Sequence, residues 1–214
     1  MSDAQSLIDG ILLGAGVQKT SAFDLSSIGI GAGLMNGKQK DEMAAKILDL
    51  YARMPVSFKE GPSEILGASG QFAPPKNQVT VDAQISSNAG FTTIHEAVHA
   101  IEHNVIRPAM EDGALTDAKS LKFKALAAKV LDKYSKDEQL VLQNPNVDAT
   151  TAYKADPSER LAFGTDMLNV YKQFKPAKEL AQNQMALRDL MQLIDLAPDK
   201  YKQTPKQKMQ GPYQ

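Results

Sequence analysis

Apolar positions along the chain fall into blocks of two different periods. From Gln39 onward, Ala44, Ile47, Leu48 and Tyr51 recur three and four residues apart with Lys and Asp between them, and Pro55 closes the run. That spacing predicts a helix buried on one face. The pattern then shortens. Val56 to Phe58, Leu66 to Phe72 (interrupted by Gly67 and Gly70) and the alternating Val79, Val81, Ala83 and Ile85 are separated by Lys59-Glu60-Gly61-Pro62 and Pro74-Pro75-Lys76-Asn77. These read as short, mostly antiparallel strands. Helical spacing returns at Ile94, Ala97, Val98, Ile101 and Val105, and again over about 117–135, 157–174 and 177–196. Asp156-Pro157-Ser158-Glu159 supplies a start for the 157–174 helix, with an N-cap side chain followed by proline at the first helical position. The expected fold class is α+β, a small sheet packed with helices.

The two ends differ from this middle. Residues 1–38 hold a short apolar stripe (Leu7, Ile8, Ile11, Leu12) and then a Gly/Ser-rich run from Ser26 to Gly37, which reads as a docking arm and a connector. Gly29, Gly31 and Gly33 lack the Lys-Ser/Thr and the strand context of a phosphate-cradling loop. Residues 198–214 are polar and rich in Lys and Gln, a tail that is disordered or held by a partner. The expected organisation is an arm over 1–38, a catalytic domain over 39–197 and a tail over 198–214. At 214 residues the chain suits one well-buried core. Its 24 basic and 25 acidic side chains offer no charge for nucleic acid or an anionic membrane surface. No window approaches the roughly 20 apolar residues of a membrane span, and no signal peptide is evident. The expected location is therefore cytoplasmic, or virion-associated, or reached by an unconventional delivery route.

The absence of cysteine changes the chemistry open to the chain, since any metal must be held by His, Asp or Glu. All three histidines lie in Thr93-Ile94-His95-Glu96-Ala97-Val98-His99-Ala100-Ile101-Glu102-His103. Residues four apart share a helix face with Cβ atoms about 5–6 Å apart, so His95 and His99 can converge on one ion. Ile94, Ala97, Val98 and Ile101 occupy the other side, which would bury that stripe and turn the histidines toward a cleft. Glu96 follows the first histidine too closely to ligate beside it, but it can reach a water at the ion's open position and act as its base. Zinc, one per chain, suits this donor set. The competing reading is a capping box of Thr93 and Glu96 at a helix start. His103 stands about 12 Å along the axis from His95, beyond one tetrahedral site, and is expected as a cleft-wall or surface residue.

With no thiol and no spare imidazole, the third ligand must be a carboxylate. Glu159 is the candidate, Asp156 the runner-up, and a capping-box role for Glu159 the competing assignment. Asp166 could orient a ligand imidazole or simply be solvated. Tyr153, expected in a loop, is the nearest candidate donor to an oxyanion.

His95-Glu96-Ala97-Val98-His99 with a later glutamate resembles the zincin metallopeptidases, in the gluzincin-like arrangement where HExxH is completed by a glutamate on a downstream helix. The order of helix, strands, active-site helix and glutamate helix is similar to that family's core over roughly residues 40–175. Tyr153 with Pro157-Ser158-Glu159 is similar to anthrax-lethal-factor-type peptidases, and the layout to small zinc-peptidase modules of bacterial and phage polyvalent proteins. The metzincin HExxHxxGxxH pattern is not met, because Ile101-Glu102 stand where it should continue. The resemblance implies a zincin-like fold, His95, His99 and Glu159 on zinc, Glu96 in catalysis with Tyr153 beside it, and a protein or peptide substrate. It also implies that the substrate lies along an edge strand, for which Gln78 to Ile85 is the candidate, with a buried central strand as the other assignment. A different class of function is a non-catalytic zincin-fold scaffold of a virion or effector, docking through the N-terminal arm. The base Glu96, of little use to a scaffold, favours the enzyme.

Overall fold

The computed structural model describes residues 37–86, 88–168 and 177–202, which form an α+β unit dominated by helices with one small mixed sheet. The N-terminal stripe at Leu7–Leu12, the glycine run before residue 37, the 169–174 stretch and most of the polar tail lie outside the described residues. Among the described residues no helix is long and apolar enough to cross a membrane.

Helix α1 (Gly37–Ala52) buries Ala44, Ile47, Leu48 and Tyr51, the stripe read from its spacing, together with Met43. The three strands are β1 (Ser57–Glu60), β2 (Gly70–Ala73) and β3 (Gln78–Val81), ordered β1-β3-β2. Two expectations are corrected here. The sheet is not mostly antiparallel, since β3 pairs antiparallel with β2 but parallel with β1. Moreover, β3 is the central strand, with its backbone ladder engaged on both sides, so Gln78 to Ile85 offers no free edge to a peptide. Its Val79 and Val81 are almost wholly buried, as a central strand requires. The edge facing the histidine helix is β2. The tight return from β2 to β3 is made by a 3-10 turn over Pro74–Lys76 that ends on Asn77 in the left-handed region (φ 45°).

Helix α2 (Ala89–Ile101) carries the three-histidine segment's first two members and packs on both α1 and the sheet. Asn88 caps it, accepting from the Phe91 N–H at 3.3 Å, so the Thr93–Glu96 capping box does not form; Thr93 instead donates to the Ala89 carbonyl. At Glu102–Ile106 the helix widens into a π turn before α3 (Arg107–Glu111). Pro108 accounts for the widening: it has no N–H for the Asn104 carbonyl, and its ring would collide with that carbonyl in a regular helix. The π register stacks residues five apart, and Arg107 Nε accordingly donates to Glu102 Oε1 at 2.9 Å.

The remaining helices wrap this layer. α4 (Ala118–Leu142) runs seven residues past the expected end and buries Phe123, Ala127, Val130 and Tyr134. α5 (Ala149–Ala155) and α6 (Pro157–Ala162) follow, each capped by an aspartate, Asp148 and Asp156. The expected continuous 157–174 helix stops at Ala162 and tightens into a 3-10 segment over Phe163–Leu168. α7 (Ala177–Leu196) packs across that segment. Residues 199–202, read from sequence as tail, form a helical turn (α8) whose Tyr201 packs on the core.

Gly164 fixes how closely α7 approaches. A Cβ at this position would lie 2.6 Å from the Leu187 nitrogen and 2.8 Å from the Ala186 carbonyl carbon, both backbone atoms that cannot rotate away. Gly164→Ala is therefore expected to cost about 1–3 kcal/mol in denaturant unfolding. Gly113→Ala, where a Cβ meets nothing within 4 Å, should change stability by less than about 0.5 kcal/mol.

Candidate metal centre

α6 packs directly on α2. That contact brings Glu159 over the histidine face of α2. His95 Nε2 lies 3.3 Å from Glu159 Oε2, and His99 Nε2 lies 3.4 Å from Glu159 Oε1. The two imidazole rings stand 5.1 Å apart, centre to centre, and one donor atom from each of the three residues lies within 4.8 Å of the others. Donors bound at about 2.0–2.1 Å to a single tetrahedral ion stand about 3.3 Å apart. The donor set and its spacing fit, and the group can hold a metal ion.

The surroundings orient these side chains. His99 Nδ1 lies 2.9 Å from Ser158 Oγ, which leaves Nε2 facing the shared centre. His95 packs edge-on against Phe163, 5.1 Å between ring centres. Asp156, the runner-up ligand, is occupied elsewhere: its Oδ1 accepts from the Ser158 and Glu159 N–H groups, so it starts α6 and does not join the metal group. The capping-box role read as an alternative for Glu159 is likewise not taken up, because its carboxylate points to the imidazoles.

Burial alone would raise the pKa of Glu159, but hydrogen bonds from His95 and His99, the charge of His99 and the Tyr153 hydroxyl outweigh it and hold the carboxyl well below the usual range. For His99, burial pulls down while the hydrogen bond and charge of Glu159 pull up, with a net rise. Glu96 goes the other way. It is 7% exposed, and its burial, reinforced by the charge of Glu159, raises its pKa against the opposing charges of His95 and His99 and the Phe72 N–H. One carboxylate of the pair is thus kept ionised and the other is pushed toward neutrality.

Glu96 owes its position to Gly70. A Cβ on Gly70 would stand 2.9 Å from both Cγ and Oε1 of Glu96 and 2.4 Å from Thr92 Cγ2, so only glycine lets the β2 edge lie against the carboxylate. Tyr153 lies in α5, not in the expected loop; it is half-exposed at the cleft beside Glu159, and partial desolvation with the neighbouring carboxylates raises its pKa, which keeps the phenol protonated. His103 lines the cleft wall with its ring 5.6 Å from Phe72, and Asp166 lines the cleft beyond His95. Ser158, Gly70 and the Phe72 N–H were not singled out from sequence. Ser158 stood beside a candidate ligand, but the other two contribute backbone, which leaves no side-chain signal.

No family model, curated protein or solved structure matches the chain.

Two substitutions distinguish the carboxylates. Asp156→Ala should lower stability by about 1 kcal/mol and leave affinity for a divalent ion within a few-fold. Glu159→Ala should weaken that affinity at least about 100-fold in calorimetric titration. Because Glu159 raises the pKa of His99, a proton competes with the ion from a higher pH than at an isolated histidine. Affinity should fall as pH drops from about 7 to 6, and the fall should begin at lower pH in Glu159→Gln.

Proposed function

We propose that the chain is a zinc-dependent metallopeptidase of zincin type that hydrolyses peptide bonds. The observation that carries this reading is the convergence of His95, His99 and Glu159 with the buried Glu96 alongside, opening on a cleft. A purely structural cluster would have no use for a second carboxylate of raised pKa at the same place. His95, His99 and Glu159 would hold the zinc, leaving a position for solvent or substrate. Zinc, when bound, supplies Lewis acidity toward the attacking water and the scissile carbonyl.

The chain's own residues do the rest. Glu96 accepts a proton from the attacking water; its burial brings its pKa nearer to neutrality, which suits a group that must then return the proton to the leaving amine. No covalent enzyme intermediate is needed. The Tyr153 hydroxyl, protonated and at the centre, donates to the oxygen that gains charge in the transition state. Phe72 N–H and the glycine gap at Gly70 hold Glu96 in position. The substrate is a protein or peptide segment lying in the cleft that His99, Glu159, Glu96 and Tyr153 line beside the edge strand β2.

The test is cleavage of an unstructured protein by zinc-loaded enzyme, before and after chelation. Activity should vanish with the metal and return with zinc. Glu96→Gln should keep one zinc per chain and lose about 10²- to 10⁴-fold in kcat. Tyr153→Phe should keep the zinc and lose about 10²-fold in kcat with little change in KM. Full zinc occupancy with no cleavage of a broad peptide set would instead favour a scaffold that retains the centre without the reaction.

A further inference from the structure

Arg107 is the one lysine or arginine among the described residues that lines the cleft over the metal centre. It owes that place to the π turn. In an unbroken α-helix Glu102 and Arg107, five residues apart, would face about 140° away from each other. The wider turn brings them onto one line, and Arg107 Nε and Nη2 donate to Glu102 Oε1 at 2.9 and 2.5 Å. Such turns inside helices are rare and recur at functional sites.

The two partners of this pair are not equally open. The Glu102 side chain is 3% exposed and the Arg107 side chain 55%, so the cleft meets the guanidinium and not the carboxylate. Glu102 holds the guanidinium in place without using it up. Nε and Nη2 form its side-on fork on Glu102; the end-on fork, one N–H of Nη1 and the second of Nη2, meets no acceptor among the described residues. That fork matches a carboxylate in both shape and charge. The other cleft carboxylates do not compete for it. Glu159 faces the imidazoles, and burial pushes Glu96 toward neutrality. His103, next in the wall, has its ring against Phe72.

The helix also sets how far this fork stands from the metal centre. Long side chains on a helix lean toward its N-terminus, and Arg107 reaches back to Glu102, three residues or about 4.5 Å of axial rise beyond His99. An extended peptide advances about 3.3 Å per residue. We propose that Arg107 binds a carboxylate of the peptide, roughly one to three residues from the cleaved bond on the His99 side of the centre. This rests on the peptidase reading above and adds its substrate class, a peptide carrying an acidic group at that distance. The group is either the peptide's own C-terminus, so that short C-terminal pieces are released, or an Asp or Glu side chain. Both offer the same charge and the same pair of oxygens.

Calorimetry on the full zinc-loaded chain tests this with probes that need no cleavage. Each probe is a hydroxamic acid, to anchor on the metal, extended by two residues: Ala-Ala as the C-terminal amide, Ala-Ala as the free acid, or Ala-Glu as the amide. At least one of the two carboxylate probes should bind about tenfold tighter than the plain amide. Preference for the free acid assigns the site to a C-terminus, and preference for the Ala-Glu amide assigns it to a side chain. In Arg107→Gln the preference should fall below about twofold. Because that change leaves Glu102 buried without its partner, the double variant Glu102→Gln with Arg107→Gln is measured beside it. It removes both charges, and it should bind the plain amide like the parent while losing the preference. In a mixed peptide library, bonds with a carboxylate at the stated distance should be cut about tenfold more often by the parent. Equal affinity for all three probes, or a preference that survives in both variants, would overturn the proposal and leave the peptidase reading standing. If the preference is present but the zinc-loaded chain cleaves no peptide, the carboxylate site stands and the peptidase reading fails. Absence of zinc binding overturns both.

Discussion

The packing of α6 against α2 is the constraint on which the rest of the molecule's chemistry depends. Two histidines on one helix are common enough; a carboxylate delivered onto them from sixty residues away must be placed by tertiary structure. Asp156 caps the start of α6, and Gly164 lets the following turn lie flat on α7. The cost of gathering such groups out of water is substantial, because each buried carboxylate loses hydration. The raised pKa of Glu96 and the lowered pKa of Glu159 are two outcomes of that one cost, divided by which carboxylate the imidazoles face.

The sheet contributes little mass but sets the other wall. β3 is committed on both sides, so β1 and β2 are the edge strands, and a glycine on β2 permits the backbone to lie against the buried Glu96. The same strand anchors the loop that presents Leu66, through Gln71. A single four-residue strand therefore ties the position of Glu96 to that of the loop at the cleft mouth. On the opposite side, the π turn at Pro108 brings Arg107 onto Glu102 in the cleft wall.

Much of this was legible in the chain before any coordinates. The spacing of His95 and His99 states their common face, and the lack of cysteine points to a carboxylate for the remaining position. The choice between Glu159 and Asp156 was open, since an Asp-Pro-Ser-Glu sequence suits capping as well as coordination; the backbone bonds of Asp156 and the direction of Glu159 separate the two. The sheet was harder. Val79 and Val81 alternate with polar residues as an edge strand would, and the parallel partner β1 is too short and polar to signal that β3 lies between two neighbours. The break at Ala162 was hidden because Phe163, Met167 and Leu168 keep apolar residues at spacings that a 3-10 turn uses as readily as an α-helix. Gly70 illustrates the general limit: its function is the space it leaves, and a sequence records that only as a small residue inside a strand.

X-ray absorption at the zinc edge of the zinc-loaded chain tests the central claim most directly, because it reports the ligands without reference to activity. The account predicts a first shell of nitrogen and oxygen at about 2.0–2.1 Å, with outer-shell scattering from two imidazoles. In Glu159→Ala the two-imidazole signature should remain while the first shell changes. A spectrum with one imidazole or none, or one unaltered by loss of Glu159, would contradict it.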